Sequence, residues 1–265
     1  MLKLIGISKS YQNVEILKDI NISFREKEFV AILGPSGSGK STLLNVLSAI
    51  EIPDKGKMLL GNIDIFKLKK HKQDYYRANY INYIFQNYNL IKYLSVKDNL
   101  LISSNIKGNK KINFKIILKK LNVENLIKKK ANKLSGGEEQ RVAIARSLVG
   151  DIKILLADEP TGALDSNNSH KVMKVLKDIS KDKLVVMVTH NKNLAYRYAS
   201  RIIKIKDGKI IYDSNPNDCG NNLHYLIRKT KLSFYNIVKM TYNNLSSKKM
   251  RTYLISMAFS IGLIS

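Results

Sequence analysis

The chain has 265 residues, 44% of them hydrophobic, which is enough to bury one large core or two small ones. A single cysteine, Cys219, excludes an intrachain disulfide framework and any multi-cysteine metal site. The net charge of +25 comes from lysines spread among asparagine and isoleucine residues along the chain, which favours a solvated surface over one nucleic-acid-binding groove.

The amino-terminal part predicts two strands, a glycine-rich loop and a helix. Residues 1–6 lack the apolar core of a secretory signal, so we expect the globular part to stay in the cytoplasm. Residues 19–24 alternate apolar and polar side chains, as in a strand of an antiparallel sheet with one buried face. Residues 29–33 are continuously apolar, which predicts a parallel strand, and a helical stripe at 43–50 follows the loop.

The loop between that strand and helix has the sequence GPSGSGKS and predicts a phosphate site. Its glycines allow consecutive amides to point at phosphate oxygens, and Lys40 supplies a catalytic positive charge for the β and γ phosphates. Ser41 is favoured over Thr42 as the hydroxyl ligand of Mg²⁺ because it occupies the last position of the motif. The predicted nucleotide-binding residues of the loop are Gly34, Pro35, Ser36, Gly37, Ser38, Gly39, Lys40, Ser41 and Thr42.

Residues 87–150 predict an inserted, mainly helical subdomain, because helical spacing recurs there without a comparable strand run. Within it, residues 134–141 read LSGGEEQR and lead into helical spacing from 138 to 148. Ser135, Gly136 and Gly137 therefore lie at a helix start, where free backbone amides attract phosphate.

Two further apolar runs, at 154–157 and 184–189, predict parallel strands joined by a crossover helix. The first run ends at Asp158 and Glu159, and the second ends at His190. Ligands bind at the carboxyl edge of such a sheet, so these side chains are expected to meet the phosphate loop. Asp158 is predicted to hold Mg²⁺ directly or through water, Glu159 to orient or deprotonate the attacking water, and His190 to act in catalysis at the same edge.

These elements predict an α/β fold over residues 1–213. It comprises a P-loop (RecA-like) parallel-sheet core with an antiparallel β subdomain and an inserted α-helical subdomain. The order of the motifs resembles that of ABC-transporter nucleotide-binding domains over roughly residues 1–215. The resemblance implies ATP and Mg²⁺ as cofactors and a head-to-tail homodimer in which residues 135–137 of each subunit close over the ATP held by the other.

The resemblance also implies roles for three residues that are unremarkable in the sequence alone. It implies that Gln86 senses and ligates Mg²⁺ and links to the membrane partner, that Asp165 lies at the dimer interface, and that Tyr11 stacks on adenine. Glu138 stands where many members of the family carry glutamine, which leaves the contacts on the ribose side open.

After residue 213 the sequence changes from the pattern of the α/β domain to a polar stretch, then an amphipathic stretch with basic residues, and finally an apolar stretch. We predict a linker at 214–230, an amphipathic membrane-surface helix with a basic flank at 231–251, and the start of a transmembrane helix at 252–265. The last segment is shorter than the about 20 residues that cross a bilayer, so a buried or interfacial helix is the alternative.

The layout of an ATPase followed by such a tail is similar to that of MacB-type exporters, in which cassette and permease share one polypeptide. We therefore expect a module on the cytoplasmic face of the membrane that powers export or extrusion of a peptide, lipoprotein, macrolide or other antimicrobial. The expected partners are a permease fused after residue 265 and a periplasmic or extracellular adaptor, without nucleic acid. The alternative is ATP-driven mechanotransmission or signalling that acts on a membrane partner without moving cargo.

Overall fold

The structure, a computed structural model, describes residues 2–106, 114–149 and 153–216. In chain order the strands are β1 (Leu2–Tyr11), β2 (Val14–Phe24), β3 (Glu28–Leu33), β4 (Lys55–Leu60), β5 (Ile63–Asp64), β6 (Ile81–Ile84), β7 (Ile154–Asp158), β8 (Leu184–Val188), β9 (Arg201–Lys206) and β10 (Lys209–Asp213). The helices are α1 (Lys40–Leu47), α2 (Lys70–Asn79), α3 (Val96–Ile106), α4 (Phe114–Lys120), α5 (Gly136–Ser147), α6 (Ser166–Ser180) and α7 (Lys192–Tyr198). Short 3₁₀ turns occur at Ile65–Lys67, Glu124–Leu126 and Ala131–Lys133.

A six-stranded sheet forms the centre of the molecule, with strand order β10-β9-β3-β8-β7-β6. Its strands run parallel except for β10, which pairs antiparallel with β9. The three runs predicted from continuous apolar sequence are β3, β7 and β8, and each is buried along its whole length. Strand β8 lies between the other two, since Ala31 pairs with Met187 and Met187 pairs with Ala157.

A second, antiparallel sheet has the order β2-β1-β4-β5 and contains the strand predicted at 19–24. One apolar cluster joins this sheet to helix α1 and to one face of the parallel sheet, including Leu4, Leu44 and Val186. Helix α1 ends at Leu47, so the predicted stripe at 43–50 is too long, and Ile50 is exposed beyond it. The predicted α/β core with an antiparallel β subdomain is confirmed.

The other face of the parallel sheet packs against helices α3 to α6. The buried side chains of this second cluster include Leu100, Leu118, Ile144 and Leu176. Helices α3, α4 and α5 belong to residues 87–150, the segment that the sequence predicts as the helical subdomain. This packing fixes the start of α5 beside the turns that follow β7.

The described part of the chain ends shortly after β10. The amide of Ser214 donates to the carbonyl of Ile202 at 2.9 Å, and the guanidinium of Arg25 donates to Asn215 at 3.1 Å. The predicted linker beyond residue 216, the helix at 231–251 and the apolar segment at 252–265 lie outside the described residues. None of the helices in the described ranges has the length and apolar character that crossing a bilayer requires.

Candidate nucleotide-binding site

The carboxyl ends of the parallel strands form one edge of the sheet, and the predicted polar residues meet there. Gly34 follows β3, Gln86 comes after β6, Asp158 ends β7, and Thr189 and His190 follow β8. A cleft of about 370 Å³ at this edge is lined by Tyr11, Ile16, Ser36, Gly37, Gly39, Lys40, Ser41, Thr42, Gln86, Asp158, Glu159 and Val188. Its volume lies within the range of small-molecule sites.

The phosphate loop wraps the first turn of α1. Gly39 has a φ of 91°, and a Cβ atom there would lie 2.8 Å from the carbonyl oxygen of Ile16, so this position requires glycine. The Lys40 ammonium donates to the Pro35 carbonyl at 2.6 Å. Burial lowers the pKa of Lys40, and the carboxylates of Glu159 and Asp158 oppose that shift. The loop therefore holds a positive charge next to a helix amino terminus.

Asp158 is a buried carboxylate, only 7% exposed. Its Oδ1 atom has no hydrogen-bond partner among the described residues. Burial raises its pKa above the usual range, and the charge of Glu159 adds to this effect, whereas the Ser41 hydroxyl and the charge of Lys40 oppose it. Such a carboxylate gains from a cation at its unpaired oxygen.

Glu159 occupies the left-handed region of the backbone, with a φ of 49°. Its amide donates to the carbonyl of Val188 at 3.0 Å. The Thr189 hydroxyl donates to Oε2 at 3.3 Å, and Nδ1 of His190 lies 2.9 Å from Oε1. The His190 side chain is 76% exposed and that of Glu159 is 16% exposed, so the pair lies at the rim of the cleft.

The donor atoms of the cleft fit Mg²⁺ and phosphate. The Ser41 hydroxyl and the unpaired Asp158 oxygen are hard oxygen ligands, which Mg²⁺ prefers, and Ser38 Oγ is a second buried atom without a partner among the described residues. Within the described residues, no group of three or more His, Cys, Asp or Glu side chains forms a complete metal site. Mg²⁺ is commonly bound by one or two carboxylates together with substrate phosphates, which matches the single buried carboxylate of Asp158 beside the phosphate loop.

Tyr11 and Gln86 both line the cleft, and both side chains are exposed. The Tyr11 hydroxyl hydrogen-bonds to Glu51, and burial together with that bond and charge raises its pKa to about 12. The Lys9 ammonium lies 5.5 Å from the centroid of the Tyr11 ring. An exposed ring at the mouth of a phosphate site is suited to stacking on a base.

The residues at 135–137 and Asp165 do not line this cleft. Ser135 caps α5: its hydroxyl accepts from the Glu138 amide at 3.4 Å, and Glu138 Oε2 accepts from the Ser135 amide at 2.9 Å. Lys129 forms an ion pair of 3.2 Å with Glu138. Asp165 caps α6 by accepting from the Asn168 amide at 3.0 Å. Ser135 and Asp165 are both exposed, so both helix starts are accessible to a second molecule.

The family model described as ABC transporter matches residues 17–162. The chain belongs to the ABC transporter ATP-binding family. This confirms the family assignment that the motifs predict, and with it the ABC-type ATPase class.

Curated relatives of this ABC cassette include the macrolide export ATP-binding/permease protein MacB of Campylobacter fetus, 40% identical over the whole chain and 44% of that protein. A putative ABC transporter ATP-binding protein of Mycoplasma genitalium is 40% identical over 80% of the chain and 69% of that protein. The chain thus spans less than half the length of the MacB proteins that it matches.

Solved structures similar to the cassette include the dimeric bacterial ABC transporter cassette MJ0796, with 36% identity and a TM-score of 0.75. The match covers 83% of this chain and all of that one. A post-hydrolysis state of MJ0796 bound to ADP and Pi gives a TM-score of 0.76. These similarities confirm the fold of the ABC cassette.

Sequence reasoning missed two residues at the site of the ABC cassette. The sequence pattern indicates for Thr189 only the end of a strand, yet its hydroxyl donates to the Glu159 carboxylate. Gln140 was only part of the LSGGEEQR run, yet it is 3% exposed and hydrogen-bonds to the loop that carries Glu159. A buried glutamine on a polar helix gives no sequence signal that identifies its partner, because that partner is 19 residues away.

Proposed function

We propose that this ABC cassette binds ATP with Mg²⁺, hydrolyses the ATP, and powers export or extrusion through a MacB-type permease at the cytoplasmic face of the membrane. One observation carries the proposal: Lys40, Asp158, Glu159 and Gln86 line a single cleft, and His190 contacts Glu159 at its rim. The similarity to a macrolide export ATP-binding/permease protein supports the export assignment.

The chemistry follows from the position of each side chain. Lys40 and the amides of the phosphate loop hold the β and γ phosphates, and the adenine stacks on Tyr11. Ser41, Asp158 and Gln86 are the residues that hold Mg²⁺, which supplies charge neutralisation at the phosphates when bound. The strand end or helix start that carries each of these residues holds its side chain in position.

Glu159 is the general base or orienting group of the hydrolytic step. The oxygen of a water molecule attacks the γ-phosphorus, the bond between that phosphorus and the bridging oxygen of ADP breaks, and Glu159 accepts the water proton. His190, with Nδ1 2.9 Å from Glu159 Oε1, holds this carboxylate at the rim of the cleft. Orientation of the water by a fixed carboxylate accounts for a large part of the rate.

The working unit is a head-to-tail homodimer. The first turn of α5 carries the backbone amides of Gly136 and Gly137, which suit a phosphate held by a second copy. Asp165 is also exposed, at the start of α6. The dimeric MJ0796 cassette, which is similar over 83% of this chain, supports the formation of a dimer.

We infer a membrane permease as the partner, and the relatives named as macrolide export ATP-binding/permease proteins support this part of the proposal. The permease, fused or separate, converts dimer closure into movement, and we propose a periplasmic or extracellular adaptor as a further partner. The cargo class is a peptide, lipoprotein, macrolide or other antimicrobial. The predicted tail at 231–265 is the segment that joins the cassette to the membrane.

Glu159→Gln tests the hydrolytic assignment in the full chain. The amide keeps the size of the side chain but cannot accept the water proton, so steady-state release of phosphate should fall by a factor of about 100 or more. ATP binding should persist, and light scattering should detect a dimer that accumulates with Mg-ATP.

Asp178→Asn is the matched control, because Asp178 is an exposed carboxylate paired with Lys181 on α6, away from the cleft. Its turnover should equal that of the parent chain. Normal phosphate release by Glu159→Gln would refute the role of Glu159, and absence of Mg-dependent hydrolysis in the parent would refute the proposed function.

A further inference from the structure

Gln140 is a buried polar residue on α5 that faces the loop after β7. It lies one turn beyond the exposed start of the helix and is 3% exposed. Its Nε2 donates to the carbonyl of Glu159 at 3.2 Å, and its Oε1 accepts from the amide of Ala163 at 3.2 Å. The nitrogen and the oxygen of this side-chain amide thus both form hydrogen bonds to the loop that follows β7.

The backbone of Glu159 needs such support. A non-glycine residue with a φ of 49° is in a sparsely populated region that costs on the order of 1 kcal/mol or more and persists only when neighbours hold it. The Glu159 amide is held by Val188, and the Glu159 carbonyl accepts from Gln140 and from the amide of Gly162 at 3.2 Å. Gln140 is therefore the side-chain donor that fixes the carbonyl side of this peptide.

The second bond of Gln140 reaches the loop toward Asp165. Ala163 lies two residues before Asp165, and the position of a Cβ atom on Gly137 would be 3.5 Å from the Leu164 side chain. The start of α5 therefore packs on the segment between Glu159 and Asp165. A shift of α5 along its axis would move the Glu159 carbonyl and the Ala163 amide together.

We propose that Gln140 is a positioning residue for hydrolysis, which holds the Glu159 carboxylate in place and couples it to the seating of α5 on the nucleotide of a second copy. The proposal rests on the proposed function, in which Glu159 acts on the water and residues 135–137 bind the other subunit's ATP. Gln140 acts through Glu159 and does not touch the nucleotide, because it does not line the cleft.

Gln140→Met removes both hydrogen bonds while keeping a side chain of similar length. In the full chain, kcat for ATP should fall about 10- to 100-fold, as misplacement of a reacting group commonly does. KM and the affinity for Mg-ATP should change by less than about threefold, because the phosphate loop is untouched. A role in folding alone would lower the melting temperature without this selective loss of kcat.

Gln140→Glu gives a second readout that depends on protonation. The introduced carboxyl still accepts from Ala163, but when ionised it places an oxygen against the Glu159 carbonyl. Full burial can raise the pKa of a carboxyl by up to about 3–5 units. When protonated, it donates to that carbonyl again, so the ratio of variant to parent kcat should rise as the pH falls from about 8 to 6.

Gln73→Met is the matched control, because Gln73 is 8% exposed and donates to the carbonyls of Phe66 and Leu68, away from the cleft. It should lose stability but keep the parent kcat. The inference is overturned if Gln140→Met keeps kcat within twofold of the parent, or if the kcat ratio of Gln140→Glu does not change with pH. These outcomes are distinct from failure of the proposed function, in which the parent lacks hydrolysis or Glu159→Gln retains it.

Discussion

Asp158→Asn should stabilise the nucleotide-free chain although it removes the carboxylate proposed to hold Mg²⁺. Asp158 is 7% exposed, its Oδ1 lacks a partner among the described residues, and burial raises its pKa. A buried unsatisfied acceptor typically costs about 1–3 kcal/mol. Because asparagine also brings polar atoms into the site, we expect a gain of roughly 1 kcal/mol in the free energy of unfolding, or about 2–4 °C in melting temperature.

The pH dependence of this gain has a defined sign. The pKa of Asp158 is higher in the folded chain than the unperturbed value of 3.8, so the folded state binds more protons than the unfolded state between the two values. The stability of the parent therefore falls as the pH rises through that window. The gain in the free energy of unfolding from Asp158→Asn should be largest above the folded-state pKa of Asp158. This gain should shrink as the pH falls towards 3.8.

Thermal unfolding followed by circular dichroism tests this expectation in the full chain, with EDTA and without nucleotide, at pH 7 and pH 4.5. Addition of Mg-ATP should then raise the melting temperature of the parent much more than that of the variant. Asp178→Asn, which alters an exposed carboxylate, serves as the control and should shift stability by less than about 0.5 kcal/mol. If the nucleotide-free variant melts at or below the melting temperature of the parent at pH 7, then burial of the Asp158 carboxylate does not destabilise the parent chain, and the prediction is refuted.

Two further variants test the phosphate loop and the sheet. Lys40→Ala should weaken ATP binding about tenfold to a hundredfold, the value of a charge-assisted hydrogen bond, in a fluorescent-nucleotide titration; unchanged affinity would remove Lys40 from the phosphate site. Arg201→Met should lower the free energy of unfolding by about 3–5 kcal/mol in a thermal melt, since Arg201 is 1% exposed and binds Asp213 at 2.8 and 2.5 Å; a loss below about 1 kcal/mol would contradict this.

The sequence predicted those strands of the parallel sheet whose residues are apolar on both faces. The continuous apolar runs predict β3, β7 and β8, and each predicted run matches the bounds of its strand to within one residue. Strand β6 was missed because it contains the buried amide Asn82, whose partners include the carbonyl of Ser147, 65 residues away. A polar residue in a strand is acceptable only when a distant group satisfies it, and that partner is invisible in a single sequence.

The candidate site was predictable wherever a motif ties chemistry to spacing. The phosphate loop, Asp158 and Glu159 line the same cleft because parallel strands end at one edge. The left-handed backbone of Glu159 and its support by Gln140 were not predictable. They depend on how α5 packs against the loop after β7, and tertiary packing of this kind leaves no periodic pattern.

Strand β8 separates the strand that leads to Lys40 from the strand that delivers Glu159. With neighbouring strands about 4.8 Å apart, β3, which leads to the phosphate loop, and β7, which leads to Glu159, lie two strand spacings apart, about 9.6 Å. A cavity made by truncating Val186 would relax this spacing without touching either group. Core substitutions in β8 are therefore expected to make ATP turnover temperature-sensitive while leaving nucleotide affinity intact. In a genetic screen, such a phenotype would otherwise be attributed to active-site residues.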